Sequence, residues 1–183
     1  MKSKHFFLTG LILALTLSAA AQSSAEKSFD ALKTLAGTWV GPVTTDPAVP
    51  GMGTGTRTRA TLRVTSKGNA LVHELQEVGK PLDPTKYDHP VTMFYLDKDQ
   101  LMLTHYCDSG NRPRMVAKTS ANGKTVEFDF VDVAGSTQYG HMYHAVFTIN
   151  DANHHSEDWT YIMPGDKPIK AHFDLTRETE GGI

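Results

Sequence analysis

An all-β fold is what this sequence predicts: an antiparallel up-and-down barrel of about ten strands, with a short N-terminal helix plugging one end. Three observations carry that expectation. After Gly37 the hydrophobic periodicity switches to two and holds to Arg177. Short turn signals separate nearly all of the periodic stretches, and connections of that kind join antiparallel neighbours, because a parallel crossover needs about a dozen residues or more. A single helical pattern precedes the strands.

At the N-terminus Lys2, Lys4 and His5 make a basic start, Phe6 to Leu17 an apolar stretch, and Ala19-Ala20-Ala21 a small-residue cleavage pattern. This reads as a secretory signal over residues 1–21, too short for the ~20 apolar residues a spanning helix needs. The expectation is a chain starting at Gln22, one domain over 22–183, located in the periplasm or outside the cell, with no stable membrane span. No cysteine follows the alanines, so acylation of a new N-terminal Cys is excluded. The one cysteine, Cys107, leaves no intrachain disulfide to form. The roughly 160 residues that remain are enough to bury a core without one.

The helical pattern comes next. Phe29, Leu32, Leu35 and Ala36 recur at three- and four-residue spacing, Ser28 is placed to cap them, and Gly37 stops them. Strands are then read at Thr38 to Thr44, Gly55 to Ser66, Ala70 to Val78, Val91 to Leu96, Leu101 to Cys107, Arg114 to Thr119, Thr125 to Val131, Thr137 to Ile149, Ser156 to Met163 and Ile169 to Arg177. Turns such as Lys67-Gly68-Asn69, Asp97-Lys98-Asp99, Asn122-Gly123 and Pro164-Gly165-Asp166 punctuate them. Two longer segments, Thr45 to Thr54 and Lys80 to Pro90, carry several prolines and suit rim loops over an open end.

Alternation tells which faces are buried. Arg57, Arg59 and Arg63 alternate with Thr58, Ala60, Leu62 and Val64, so the arginines face water. Val126, Phe128 and Phe130 alternate with Glu127 and Asp129. In the last strand Ile169, Ala171, Phe173, Leu175 and Arg177 share one face, and Lys170, His172 and Asp174 the other. The formal net charge is −2 and becomes −4 without the two lysines of the leader. Weak acidity with arginines on solvated strand faces argues against a nucleic-acid binder.

Leu35-Ala36-Gly37-Thr38-Trp39-Val40-Gly41, opening the first strand directly after a helix, resembles the Gly-x-Trp signature of lipocalins and their calycin relatives, among them fatty-acid-binding proteins and nitrobindin-like barrels. The block from Leu103 to Met115 is similar to bacterial lipocalin-like proteins with Leu-x-Gly-x-Trp near their start, a family that implies a fold and a location but no established activity. The resemblance implies that Trp39 lies across the closed end of a calycin barrel, with a basic residue of the last strand, here Arg177, on its ring. Gly37, Trp39 and Arg177 are on that reading structural. A guanidinium over an indole gains about 0.5 to 2 kcal/mol.

Small barrels of this kind enclose a ligand or fill the lumen with side chains. Residues with inward parity are Trp39, Leu62, Phe128, Phe173 and Leu175, joined by Met93, Tyr95, His105, Met115, Tyr143, Trp159 and Tyr161. The ligand set read from the sequence is Tyr95, His105, Met115, Phe128, Tyr143, Trp159, Tyr161 and Phe173: apolar surface with a few polar tips to fix orientation. The expected partner is a small apolar or amphipathic molecule held without a cofactor. A filled barrel acting through its surface is the bland alternative.

The resemblance to nitrobindin-like barrels implies haem as a further alternative, with His172 as the candidate ligand. Its parity faces away from the buried side, and Trp39-Val40-Gly41 lacks the Gly-x-Gly-x-Tyr-Pro continuation of that family. His141-x-x-His144 and His154-His155 point to opposite faces of a regular strand, so neither pair chelates one ion and no metal is expected. Nothing resembles a nucleophile elbow, a zinc-protease helix motif or a phosphate-cradling loop. His105, Tyr106, Cys107 and Asp108, with Arg112 and Arg114 nearby, are the best catalytic constellation. Adjacent residues on a strand diverge, which argues against an enzyme.

Overall fold

The computed structural model describes residues 22–50, 55–118 and 123–179. The leader assigned to 1–21 lies outside them. Helix α1 (Ser24–Lys33) is followed by ten strands: β1 (Gly37–Asp46), β2 (Arg57–Thr65), β3 (Ala70–Glu77), β4 (Val91–Asp97), β5 (Gln100–Tyr106), β6 (Arg112–Lys118), β7 (Thr125–Ala134), β8 (His141–Ile149), β9 (His154–Met163) and β10 (Lys167–Arg177). Each strand pairs antiparallel with its sequence neighbours, and β1 pairs β10, closing the barrel. No described helix is long and apolar enough to cross a membrane.

The helix starts earlier than its apolar spacing suggested. Ser23, not Ser28, is the cap: its Oγ accepts from the Glu26 N–H at 3.2 Å, and the Glu26 carboxylate accepts from the Ser23 N–H at 2.7 Å. This reciprocal box satisfies two N-terminal donors at once. Phe29 and Leu32 turn inward, and α1 packs against β2, β4 and β5, sealing one end of the barrel.

At that end Arg177 stacks its guanidinium 4.0 Å from the centre of the Trp39 ring. Its nitrogens donate to the carbonyls of Ala36 at 2.9 Å, Thr34 at 3.2 Å and Ala152 at 2.8 Å. These are helix-end and turn carbonyls, groups that otherwise lack donors. Trp39 is fully buried and donates its indole N–H to Leu35 O at 2.7 Å. Gly37 leaves room for the arginine, since a Cβ there would sit 2.4 Å from Nη1.

Strand ends differ from the sequence reading where turns hide inside periodic text. β8 begins at His141, because Gly135 and Gly140 hold positive φ around the preceding turn. β9 begins two residues earlier than expected, at His154, which adds His155 to the inward face. Register shifts fall between Arg114 and Met115 on β6 and between Met142 and His144 on β8. The latter leaves Tyr143 as the extra residue of a bulge.

Candidate functional site

Inward-facing side chains fill the lumen in layers. Nearest the helix, Leu71, Leu101, Leu103 and Met115 surround Phe94, Phe128 and Phe147, all essentially without solvent exposure. Phe94 meets Phe147 edge-on with ring centres 5.3 Å apart and Phe128 at 5.5 Å. This half of the barrel is a packed core.

The middle layer is polar and equally dry. Glu157, on β9, is fully buried. Its Oε1 is bonded by Nε2 of His73 at 3.1 Å and Nε2 of His155 at 3.0 Å, and its Oε2 accepts the Trp159 indole N–H at 2.9 Å. Burial alone would raise the Glu157 pKa, but attraction to His73 and hydrogen bonds from both imidazoles outweigh it and hold the carboxyl below its usual range. A buried carboxylate persists only when paired in this manner. His105 faces the same layer, its Nδ1 2.8 Å from Thr92 Oγ1, and burial with the nearby His73 pushes its pKa down to about 3. His105 is therefore neutral over the physiological range. Both carboxylate oxygens of Glu157 are engaged, so the cluster ties β3 to β9 across the lumen rather than offering a free acid or base.

Above this layer, at the end opposite α1, lies a cavity of about 270 Å³. Val43, Leu75 and Phe173 line it with apolar surface from the strands and Pro90 from the loop; Thr58, Gln76, Glu77, Lys80, Lys86 and His89 add polar groups. The roof is the β3–β4 loop, residues 78–90, held down by Leu75 N–H to Pro90 O at 3.0 Å and Gln76 Nε2 to Lys80 O at 2.6 Å. Across that loop a second hollow of about 470 Å³ is bounded by Tyr106, Cys107 and Asp108. His89 lines both, and its Nε2 is buried without a hydrogen-bond partner. Asp88 accepts the Asp108 N–H at 3.1 Å, and burial, with Asp108 close by, raises its pKa.

The residues read from the sequence separate into three groups. Met115, Phe128, His105 and Trp159 are in the buried lumen. Phe173 lines the mouth cavity, and Tyr161 sits at the rim, accepting from Ser109 Oγ at 2.6 Å and donating to Tyr139 O at 2.8 Å. Tyr95 and Tyr143 are not brought to the lumen. Thr92 and Phe94 are the buried positions of β4, so Tyr95 points outward and bonds Thr104 at 3.2 Å. The β8 bulge leaves Tyr143 46% exposed and stacked on Phe130.

His172 lies on the outer face, half exposed, with Nδ1 2.7 Å from Asp158 Oδ1. The side chains present do not offer haem this histidine from inside the barrel. Cys107 is half-buried and burial pushes its thiol pKa up, opposite to the activation a nucleophile needs. Sequence reasoning missed Glu157, His155 and His89. The first two share parity with Trp159, and that was a usable signal.

No protein-family model matches the chain, and no curated protein sequence matches it. Among solved structures it is similar to the crystal structure of Rv2717c from M. tuberculosis, with 16% identity and a TM-score of 0.62 over 83% of this chain and 98% of that one. A protein of unknown function of the DUF3598 family from Nostoc punctiforme aligns at 7% identity and a TM-score of 0.25, over 82% and 99% of the two chains. What the first likeness and the strand pairing together establish is a closed, ten-stranded antiparallel β-barrel that shares its fold with Rv2717c.

Proposed function

We propose that this protein is a calycin-type carrier that holds a small amphipathic molecule at the mouth of the barrel, not deep in its lumen. The observation that carries this reading is the 270 Å³ cavity, lined by both apolar and polar side chains, with the unpartnered His89 Nε2 among its lining residues. Its volume is near the lower end of the about 300–1,000 Å³ typical of ligand pockets, so the occupant is small. Desolvation against Val43, Leu75 and Phe173 supplies the affinity. His89 and the lysines at the rim orient the polar end.

Native mass spectrometry of the protein purified without denaturation, followed by organic extraction, tests this. The expected result is a stoichiometric small adduct, or saturable binding of anilinonaphthalene sulfonate by the stripped protein, lost in Leu75→Trp, which fills the cavity. Protein that carries nothing and binds neither that probe nor hemin would overturn the carrier reading. A hemin complex would replace it with the haem one.

A further inference from the structure

On the outer wall of the barrel, away from the mouth, three potential metal ligands converge. Glu127 and Asp129 stand two residues apart on β7 and share its outer face, and His144 of β8 is the direct cross-strand partner of Asp129. One ligand atom from each lies within 4.8 Å of the other two, the only such grouping of three among the described residues. His144 Nε2 is 3.0 Å from Glu127 Oε1 and 3.7 Å from Asp129 Oδ1. A tetrahedral zinc ion with bonds of about 2.1 Å needs its ligand atoms about 3.4 Å apart, a length that these two spacings bracket.

From the sequence, neither close histidine pair can chelate one ion along its own strand, and no spacing required His73 or His105 to join Glu74 or Asp108 across the barrel. The pairing of β7 with β8 makes a mixed set instead, and strand positions fix it more firmly than a loop would. We propose that Glu127, Asp129 and His144 form a surface site for a zinc-like divalent cation, with water completing the coordination. One imidazole with two carboxylates suits a borderline ion of that kind.

Lys118 of β6 is part of the design. Its ammonium nitrogen lies 3.3 Å from Glu127 Oε1 and 2.6 Å from Asp129 Oδ2, holding the carboxylates while no metal is bound. Metal entry displaces the ammonium into solvent, an easy motion for a side chain that is 54% exposed. His144 Nε2 gives up its proton for the metal, the proton passing to Nδ1 of a neutral ring or to water from a charged one.

The test is titration of the protein covering residues 22–183 with zinc in competition with a chromophoric chelator, and with cobalt followed by its visible d–d bands. Saturable one-to-one uptake is expected. It should be lost in His144→Ala, weakened in the Glu127→Gln/Asp129→Asn double variant, and made tighter in Lys118→Met by removal of the competing cation. All four positions are partly exposed, and circular dichroism checks that the variants fold. No uptake by the wild-type chain, uptake unchanged in His144→Ala, or weaker uptake in Lys118→Met would each overturn the site.

Discussion

Glu157 organises the polar layer of the interior. Three donors converge on its two oxygens with no water between them. Removing the carboxylate in Glu157→Ala strands two imidazoles and an indole N–H in a dry core. The expected cost is about 3–5 kcal/mol, the range for breaking a buried charged network on one side, and urea denaturation followed by far-UV circular dichroism measures it. The same layer makes stability depend on pH. His105 titrates at about 3 when folded and near 6.5 in the unfolded chain. A lowered folded-state value means that its contribution is fully present above pH 6.5 and is lost as pH falls towards 3. Glu157, also lowered, contributes with the same sign. Unfolding free energy is therefore expected to decline from neutral pH into acid, and His105→Phe to flatten that decline. An equal slope in the variant would place the acid sensitivity elsewhere.

Among the elements, β1 shows best how sequence sets geometry. Gly41 lies against β10, where an added Cβ would come within 1.8 Å of the Asp174 carbonyl oxygen. Gly41→Ala must push two strands apart, and the expected loss is at or above the upper end of the about 1–3 kcal/mol typical of overpacking; a thermal melt compared with wild type reads it. A melting temperature unchanged by the substitution would mean the seam yields freely. Elements also explain what the sequence concealed. Val91 to Leu96 is apolar on both faces, so alternation could not decide between Phe94 and Tyr95, and the structure buries Phe94. In β8 the bulge at Tyr143 breaks parity without any glycine or proline to announce it. Glu157 was passed over for a different reason: alternation put it beside Trp159, but a carboxylate between Ser156 and Asp158 reads as solvated until its two histidine partners are known, and His73 lies on another strand.

For the whole molecule, the barrel itself was legible because strand period and turn chemistry are local properties. The number of strands, their antiparallel order and the plugging helix all follow from them. The mouth cavity was not legible, since the loop over residues 78–90 takes its shape from contacts with β3 and the β5–β6 turn that no periodicity encodes. The order of strands around the barrel has one more consequence, which concerns time. Every pairing joins neighbours in the chain except the one between β1 and β10, whose partners Trp39 and Arg177 come from the first strand and the last. Local hairpins form early at little entropic cost, and closing the longest loop comes last. Contacts made after the rate-limiting step alter the unfolding rate and leave the folding rate unchanged. The seam held by Gly41, Trp39 and Arg177 is thus expected to act as a clasp: substitutions in it should speed unfolding and leave the folding rate unchanged, which the two limbs of a chevron plot read separately.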